Sequence, residues 1–342
     1  MHLKKILSIV FLSFIGLANA QTSKTMTIVV PFAAGGTVDI VARQLAPDMG
    51  RYLGDSIVID NKGGAGGTIA TAKLATSNPD GKTIMFHHMG FVFNPALYDK
   101  LPFDTRKDII PVADIGVTPN VLVVTNALPT KNIAEFLAYA KKNPGKINYG
   151  SGGIGSAGHL AMEMFEEAAG FQATHVPYKG SGPAITDLIS GQIQAMLMTI
   201  ASIKPYIDSG QVRALATSGL ARTPSLPAVP TLNESGLKGF SFEPWYGVFA
   251  PAKTPQKTLE QINAAVNEAL KNPENQAKLA GQGLEVVGAV VPGGAVEIGA
   301  ALVEHFHRVL GALADTEVGG RFEQQVLEQV RHARFTVVLV AR

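Results

Sequence analysis

Short apolar runs alternate along the chain with longer segments whose apolar residues return at helical spacing, the joint pattern of strands and amphipathic helices. Strands are expected at Met26–Val30, Ile57–Asn61, Thr83–His87, Val121–Thr125, Ile147–Tyr149, Thr174–Val176, Ala195–Met198, Ala214–Thr217 and Trp245–Ala250, with helices between them. Such alternation points to an α/β protein built on largely parallel sheets. Asn132 and Glu135 have the spacing of a capping box that opens a helix over Ile133–Lys142, and Thr254-Pro255 reads as an N-cap followed by proline at the first helical position. In the helix that follows, Leu259, Ile262, Val266 and Leu270 form one apolar stripe, which is expected to pack on a sheet. No repeat of solenoid period and no low-complexity linker interrupts the pattern.

The first twenty residues break it. Lys4 and Lys5 precede an apolar run from Ile6 to Leu17, and Ala18-Asn19-Ala20 places small residues where a signal peptidase reads. A signal peptide over residues 1–20 and a periplasmic location are expected, since the run is short for a bilayer span and Gln21-Thr22-Ser23-Lys24 after it is polar. The chain has no cysteine, so neither a lipid-attachment site nor a disulfide is available. Removing Lys4 and Lys5 with the leader leaves 27 basic against 27 acidic side chains. A neutral chain without a basic stripe is not directed toward nucleic acid or an anionic membrane. Apolar residues make up 46% of the 342, with 36 glycines and 20 prolines, which suits a well-cored protein with many tight loops. That length is more than one core usually organises, so two domains are expected.

Candidate chemistry begins at Ile28–Arg43, where an apolar strand, a glycine turn and a helix follow one another. A helix starting there aims unpaired N–H groups and the positive end of its dipole into the space above the strand, a geometry that holds an anion. Gly35 and Gly36 leave room for a ligand to touch backbone, and Thr37 reads as the N-cap; the alternative for this segment alone is an ordinary βα turn. Glycine-rich loops recur at Gly63–Gly67, Gly150–Gly158 and Gly180–Pro183, each placed between a strand and a helix. Several helix N-termini converging on one cleft would hold a small carboxylate without a dedicated arginine or lysine.

Enzyme signatures are missing. Gly153-Ile154-Gly155-Ser156-Ala157-Gly158 fits G-x-G-x-x-G, but the next strand runs into Val176-Pro177-Tyr178-Lys179 without the acid that would hold a ribose, so no nicotinamide cofactor is expected. There is no G-x-S-x-G elbow, H-E-x-x-H pair or phosphate-binding G-x-x-x-x-G-K-[ST]. His305 and His307 are two apart and diverge on a helix, so no metal is expected. His87 and His88, adjacent at a strand end, are expected to face the cleft and the interior respectively or the reverse. Neither these nor His159 and Lys179 form an evident triad.

Seven motifs together resemble the Bug-type, or TctC-like, extracytoplasmic solute receptors of tripartite tricarboxylate transporters. They are Pro31-Phe32-x-x-Gly35-Gly36-x-x-Asp39-x-x-Ala42-Arg43, Asn61-Lys62-x-Gly64-Ala65-Gly66-Gly67, Asn94-Pro95-Ala96-Leu97-Tyr98, Tyr149-Gly150-Ser151-x-Gly153-x-Gly155-Ser156-x-x-His159-Leu160, Pro177-Tyr178-Lys179-Gly180, Phe249-Ala250-Pro251-Ala252 and the leader. The resemblance implies a type II periplasmic-binding-protein-like fold: two α/β lobes with mixed sheets around a ligand cleft, residues 21–120 and 245–342 forming the first lobe and 121–244 the second. It implies a receptor, not an enzyme, that delivers a small mono-, di- or tricarboxylate to two membrane subunits as a monomer, with no cofactor. Ligand-binding residues so implied are Phe32, Ala33, Gly35, Gly36 and Thr37 from the first lobe, with Ser151, Gly155, Ser156, Gly180 and Ser181 from the second. Asp39 and Arg43 match too, within the first helix.

Two departures add candidates. His87-His88-Met89 stands where relatives carry small hydroxyl residues, which makes His87 part of a bulkier, partly aromatic wall. Thr199-Ile200-Ala201 stands where relatives often carry an acid, so Thr199 lines a cleft that favours a solute without an ammonium group. From about Ala289 the resemblance ends. Ile298, Leu302, Phe306 and Val309 still form an apolar stripe, and Phe335–Val340 is a β-prone run, a loss of resemblance that a shifted reading frame near Gly288 would produce. Signalling reception and catalysis on the same fold are the competing functions.

Overall fold

The computed structural model describes residues 24–98 and 100–287. The expected signal peptide and the segment after Gly288 lie outside the described residues. In chain order the first sheet takes β1 (Lys24–Val30), β2 (Asp55–Asn61), β3 (Thr83–His88), β4 (Ile109–Val117), β10 (Trp245–Pro251) and β11 (Glu285–Val286), in the spatial order β11-β4-β10-β3-β1-β2. Its helices are α1 (Thr37–Leu53), α2 (Thr68–Ala75), the single turn α3 (Asn94–Leu97), α8 (Gln256–Lys271) and α9 (Pro273–Gly281). The second sheet, ordered β7-β6-β8-β5-β9, takes β5 (Asn120–Thr125), β6 (Asn148–Ser151), β7 (Thr174–Pro177), β8 (Ala195–Thr199) and β9 (Val212–Thr217). With it go α4 (Ile133–Lys142), α5 (Ala157–Ala169), α6 (Ser181–Ile189) and α7 (Ile200–Asp208).

Both sheets are mixed rather than largely parallel. β1, β2 and β3 are parallel, as are β6, β7 and β8, but β10 runs antiparallel to β3 and β4, and β5 antiparallel to β8 and β9. The reversed strands are those where the chain enters the second sheet, at β5, and where it returns to the first, at β10. A crossover of two residues, Thr118-Pro119, and a longer one over residues 218–244 join the lobes.

Local signals act as expected where short-range chemistry dominates. Asn132 accepts from the Glu135 N–H at 2.9 Å and caps α4. Leu259, Ile262, Val266 and Leu270 are buried and join Ile28, Val30, Phe86 and Val248 in one core. Two expected caps are corrected. α8 starts one residue later, with Pro255 as its N-cap, because Pro255 has extended backbone. At α1, Gly36 is the N-cap because its backbone is extended, and Thr37 is already helical, with its hydroxyl engaged across the cleft. A buried apolar cluster that includes Phe91, Phe249 and Trp245 of the first lobe also includes Leu122, Tyr149 and Phe165 of the second, so the lobes share a continuous core at their junction.

Candidate functional site

The rims of the two lobes touch. The Ala33 N–H donates to the Lys179 carbonyl at 2.9 Å, and the Tyr98 hydroxyl to the Ile154 carbonyl at 3.2 Å. At Gly66 (φ +58°) a Cβ would lie 2.1 Å from the Ile154 oxygen, and at Gly180 (φ +147°) it would lie 2.6 Å from the Ala33 nitrogen. The glycine-rich loops therefore let backbone from one lobe rest on backbone of the other.

Within this rim lies a narrow cavity of about 40 Å³, and among the described residues no Asp, Glu, Lys or Arg side chain lines it. Four helix N-termini open on it. Gly36, Thr37 and Val38 begin α1, Ser156, Ala157 and Gly158 begin α5, Ser181 begins α6, and Thr199 is the N-cap of α7. The leading N–H groups of a helix have no partner within it, so four sets of donors and four positive dipole ends face one space.

Hydroxyls supply the rest. Thr37 Oγ1 is hydrogen-bonded to Thr199 Oγ1 and, at 2.8 Å, to Ser202 Oγ on α7. The Tyr246 hydroxyl joins Thr199 and Thr37; burial raises its phenol, and those two bonds oppose the rise. Ser156 caps α5 through a long bond from the His159 N–H at 3.4 Å, and its residue lines the cavity as well.

On the first-lobe side the wall is aromatic. Phe32 stacks on His88 with ring centroids 4.9 Å apart, and Tyr246 meets His88 edge-on at 6.2 Å. Burial pushes the His88 imidazole down to about 3, so it is neutral at physiological pH. Its Nδ1 accepts the Gly90 N–H at 2.8 Å, which leaves the proton on Nε2.

Among the expected residues, Phe32, Gly36, Thr37, Ser151, Ser156, Ser181 and Thr199 stand in the cavity wall. Five others do not, each for a physical reason. Ala33 gives its N–H to Lys179, and Gly180 is packed against Ala33, so both belong to the rim. The Gly35 N–H is taken by Asp39 at 3.0 Å. Gly155 gives its N–H to His159 Nδ1 at 3.3 Å and its carbonyl faces Gly90. His87 lies behind the wall, fully buried, with Nε2 against Gly67; it is His88 that faces the cleft. Asp39 also accepts from Arg43 at 2.9 Å and from Asn61 at 3.0 Å. Burial pushes its carboxyl up, but the bonds from Arg43, Gly35 and Asn61 outweigh it and hold the group below the usual range, so Asp39 braces the turn.

Tyr246, Met196 and Met198 also line the cavity. The alternation of Met196 and Met198 along β8 was a readable signal for one shared face. Tyr246 had none, because it arrives through the crossover from the second lobe. Among the described residues no group of three or more His, Asp or Glu side chains converges as a metal site, and no helix is long and apolar enough to cross a membrane.

Residues 41–290 match the model of a family described as "Tripartite tricarboxylate transporter family receptor". Among solved structures, the chain is similar to the periplasmic binding protein BugD, with 35% identity, a TM-score of 0.80, and coverage of 87% of this chain and 98% of that one. It is similar to Rpa4515 of R. palustris, solved with adipate, at 33% identity and a TM-score of 0.79, covering 85% and 97% of the two chains. It is also similar to MatC of Rhodopseudomonas palustris, solved with bound malate, at 34% identity and a TM-score of 0.78, covering 85% and 99%.

Proposed function

Because the chain belongs to the tripartite tricarboxylate transporter receptor family, we propose that it captures a small carboxylate without an ammonium group between lobes 21–120 plus 245–342 and 121–244, in the periplasm, after loss of a signal peptide over residues 1–20. It then presents the solute, chemically unchanged, to two membrane subunits, acting as a monomer. One observation carries the reading: four helix N-termini and a set of hydroxyls surround a cavity that no charged side chain among the described residues lines. Neutral donors of this kind favour a carboxylate once water is excluded, and the missing acid leaves an ammonium group without a partner. The malate and adipate held by two similar proteins fit that chemistry, since both are dicarboxylates without nitrogen.

The test is a thermal-shift and calorimetry panel of mono-, di- and tricarboxylates with their amino-acid counterparts, malate beside aspartate and adipate beside a 2-amino acid of the same length. A carboxylate should raise the melting temperature and be recovered unchanged, with its amino counterpart binding far more weakly. Preference for the amino acids would refute the solute class, and conversion of the solute would make the protein an enzyme.

A further inference from the structure

β6 and β7 are parallel neighbours with Tyr149 opposite His175, and the two-residue period of a strand places Ser151 on the Tyr149 face. His175 lies across that face. Its ring stacks on Tyr149 at 4.8 Å and on His159 of α5 at 4.3 Å, and its Nε2 is 2.6 Å from Ser151 Oγ. Ser151 is a wall residue of the cavity, almost wholly buried.

A serine hydroxyl owns one proton. Ser151 Oγ already accepts the Gly153 N–H at 3.1 Å, and the Gly153 carbonyl at 3.2 Å and His175 Nε2 compete with the cavity for its proton. If Nε2 were bare, it would take the proton and Oγ would turn lone pairs toward a carboxylate. If Nε2 carries hydrogen, it donates to Oγ and no longer competes for the hydroxyl proton, which leaves the solute's carboxylate against the longer contact to the Gly153 carbonyl.

We propose that His175 is a positioning residue of the binding site: its Nε2–H donates to Ser151 Oγ and so directs the serine's hydroxyl proton at the solute's carboxylate. The inference rests on the carboxylate-receptor reading above. It has a second consequence, since an anion beyond Ser151 favours a second proton on the imidazole. Burial, and His159 beside it, hold His175 at about 4. A bound carboxylate raises that value, so binding takes up a proton and affinity rises as the pH falls through the raised value.

The groups facing the imidazole are consistent with this. Tyr149 and Ser151 face it from β6, and His159 from α5. His159 Nδ1 accepts the Gly155 N–H, which leaves its proton on Nε2, 3.7 Å from Glu163. Burial lowers His159, against the pull of Glu163. Glu163 also accepts the Tyr149 hydroxyl, and burial pushes Glu166, further along α5, up to about 7, against the Ala173 N–H that it accepts.

Two measurements on the mature protein decide the matter. Nitrogen-15 spectra of the histidines, without solute, should find neutral His175 protonated on Nε2; a bare Nε2 overturns the proposal. Calorimetry with malate and adipate as probes, between roughly pH 5 and 8, should show affinity rising toward acid. His175→Phe, which keeps the ring stack, should lose about tenfold in affinity together with the pH slope. Repeated in a Ser151→Ala protein, the same substitution should cost nothing further. His175→Gln, whose amide donates to the same oxygen, should recover affinity over His175→Phe with a flat pH profile. An equal loss in both backgrounds would overturn the proposal. Failure of both probes to bind would count against the receptor reading for those solutes, while the nitrogen spectra still decide His175.

Discussion

On its first-lobe side the cleft presents rings, Phe32, His88 and Tyr246, while on its second-lobe side it presents small hydroxyls, Ser151, Ser156, Ser181 and Thr199, at or beside helix starts. The rings come from a loop and two neighbouring strands of one sheet, so their positions are fixed by its core. Of the hydroxyls, Ser151 and Thr199 end β6 and β8, Ser156 caps α5 and Ser181 begins α6. Donors grip a carboxylate whatever it is attached to, whereas a rigid wall discriminates by shape. Changes on the second-lobe side should therefore weaken all carboxylates alike, and changes to the rings should alter which one is preferred. Gly36 tests the helix start that the first lobe adds to the donors, and Gly180 tests a third element, the closure that brings the two sides together.

Gly36→Val should have the largest effect. A Cβ at Gly36 has ordinary clearance, 3.6 Å from the Ala33 oxygen, so the fold survives, but the γ-methyls enter the solute's space. Calorimetry on the folded variant should detect no binding; unchanged affinity would remove the α1 N-terminus from the site. Gly180→Ala should come next, with affinity falling on the order of a hundredfold, because a Cβ there would lie 2.6 Å from the Ala33 nitrogen of the opposite lobe. Its melting temperature without solute should move little if opening relieves the clash, and full affinity would show that closure does not need this contact.

Ser156→Ala should weaken every carboxylate by about tenfold, since a hydrogen bond to a charged group contributes roughly 1.5–3 kcal/mol. A lower melting temperature with intact affinity would restrict Ser156 to capping α5. His88→Phe should change the ratio of affinities between solutes by only a few-fold, with a loss common to all solutes moving His88 to the gripping side. The same variant carries a pH signature. His88 falls from 6.5 in the open chain to about 3 when buried, so the unfolded state binds more protons between those values and stability declines as the pH drops through them. Replacing it should flatten the acid side of the melting profile.

The sequence made the strand–helix alternation, the α4 cap and the apolar stripe of α8 legible because each depends on residues near in the chain. β4 is not legible in the sequence: Pro111, Asp114 and Gly116 break up its pattern, and its pairing with β10 and β11 is what makes it a strand. The site shows the same division. Helix starts at Ser156 and Ser181 were readable from their loops, but which of the two adjacent histidines faces the cleft depends on the pleat of β3. Likewise, the destination of the Thr37 hydroxyl depends on Thr199 and Ser202, far along the chain. The loops Gly63–Gly67 and Gly180–Pro183 are legible as turns between a strand and a helix, but not that backbone of the opposite lobe rests on Gly66 and Gly180.

The central claim is that two lobes close around a carboxylate held by neutral donors, and small-angle scattering with and without a solute proven by calorimetry to bind tests it most directly. The wild-type protein should become more compact on saturation, and Gly180→Ala should stay near its unliganded dimensions at the same solute concentration. Identical scattering curves for the free and saturated wild-type protein would contradict closure.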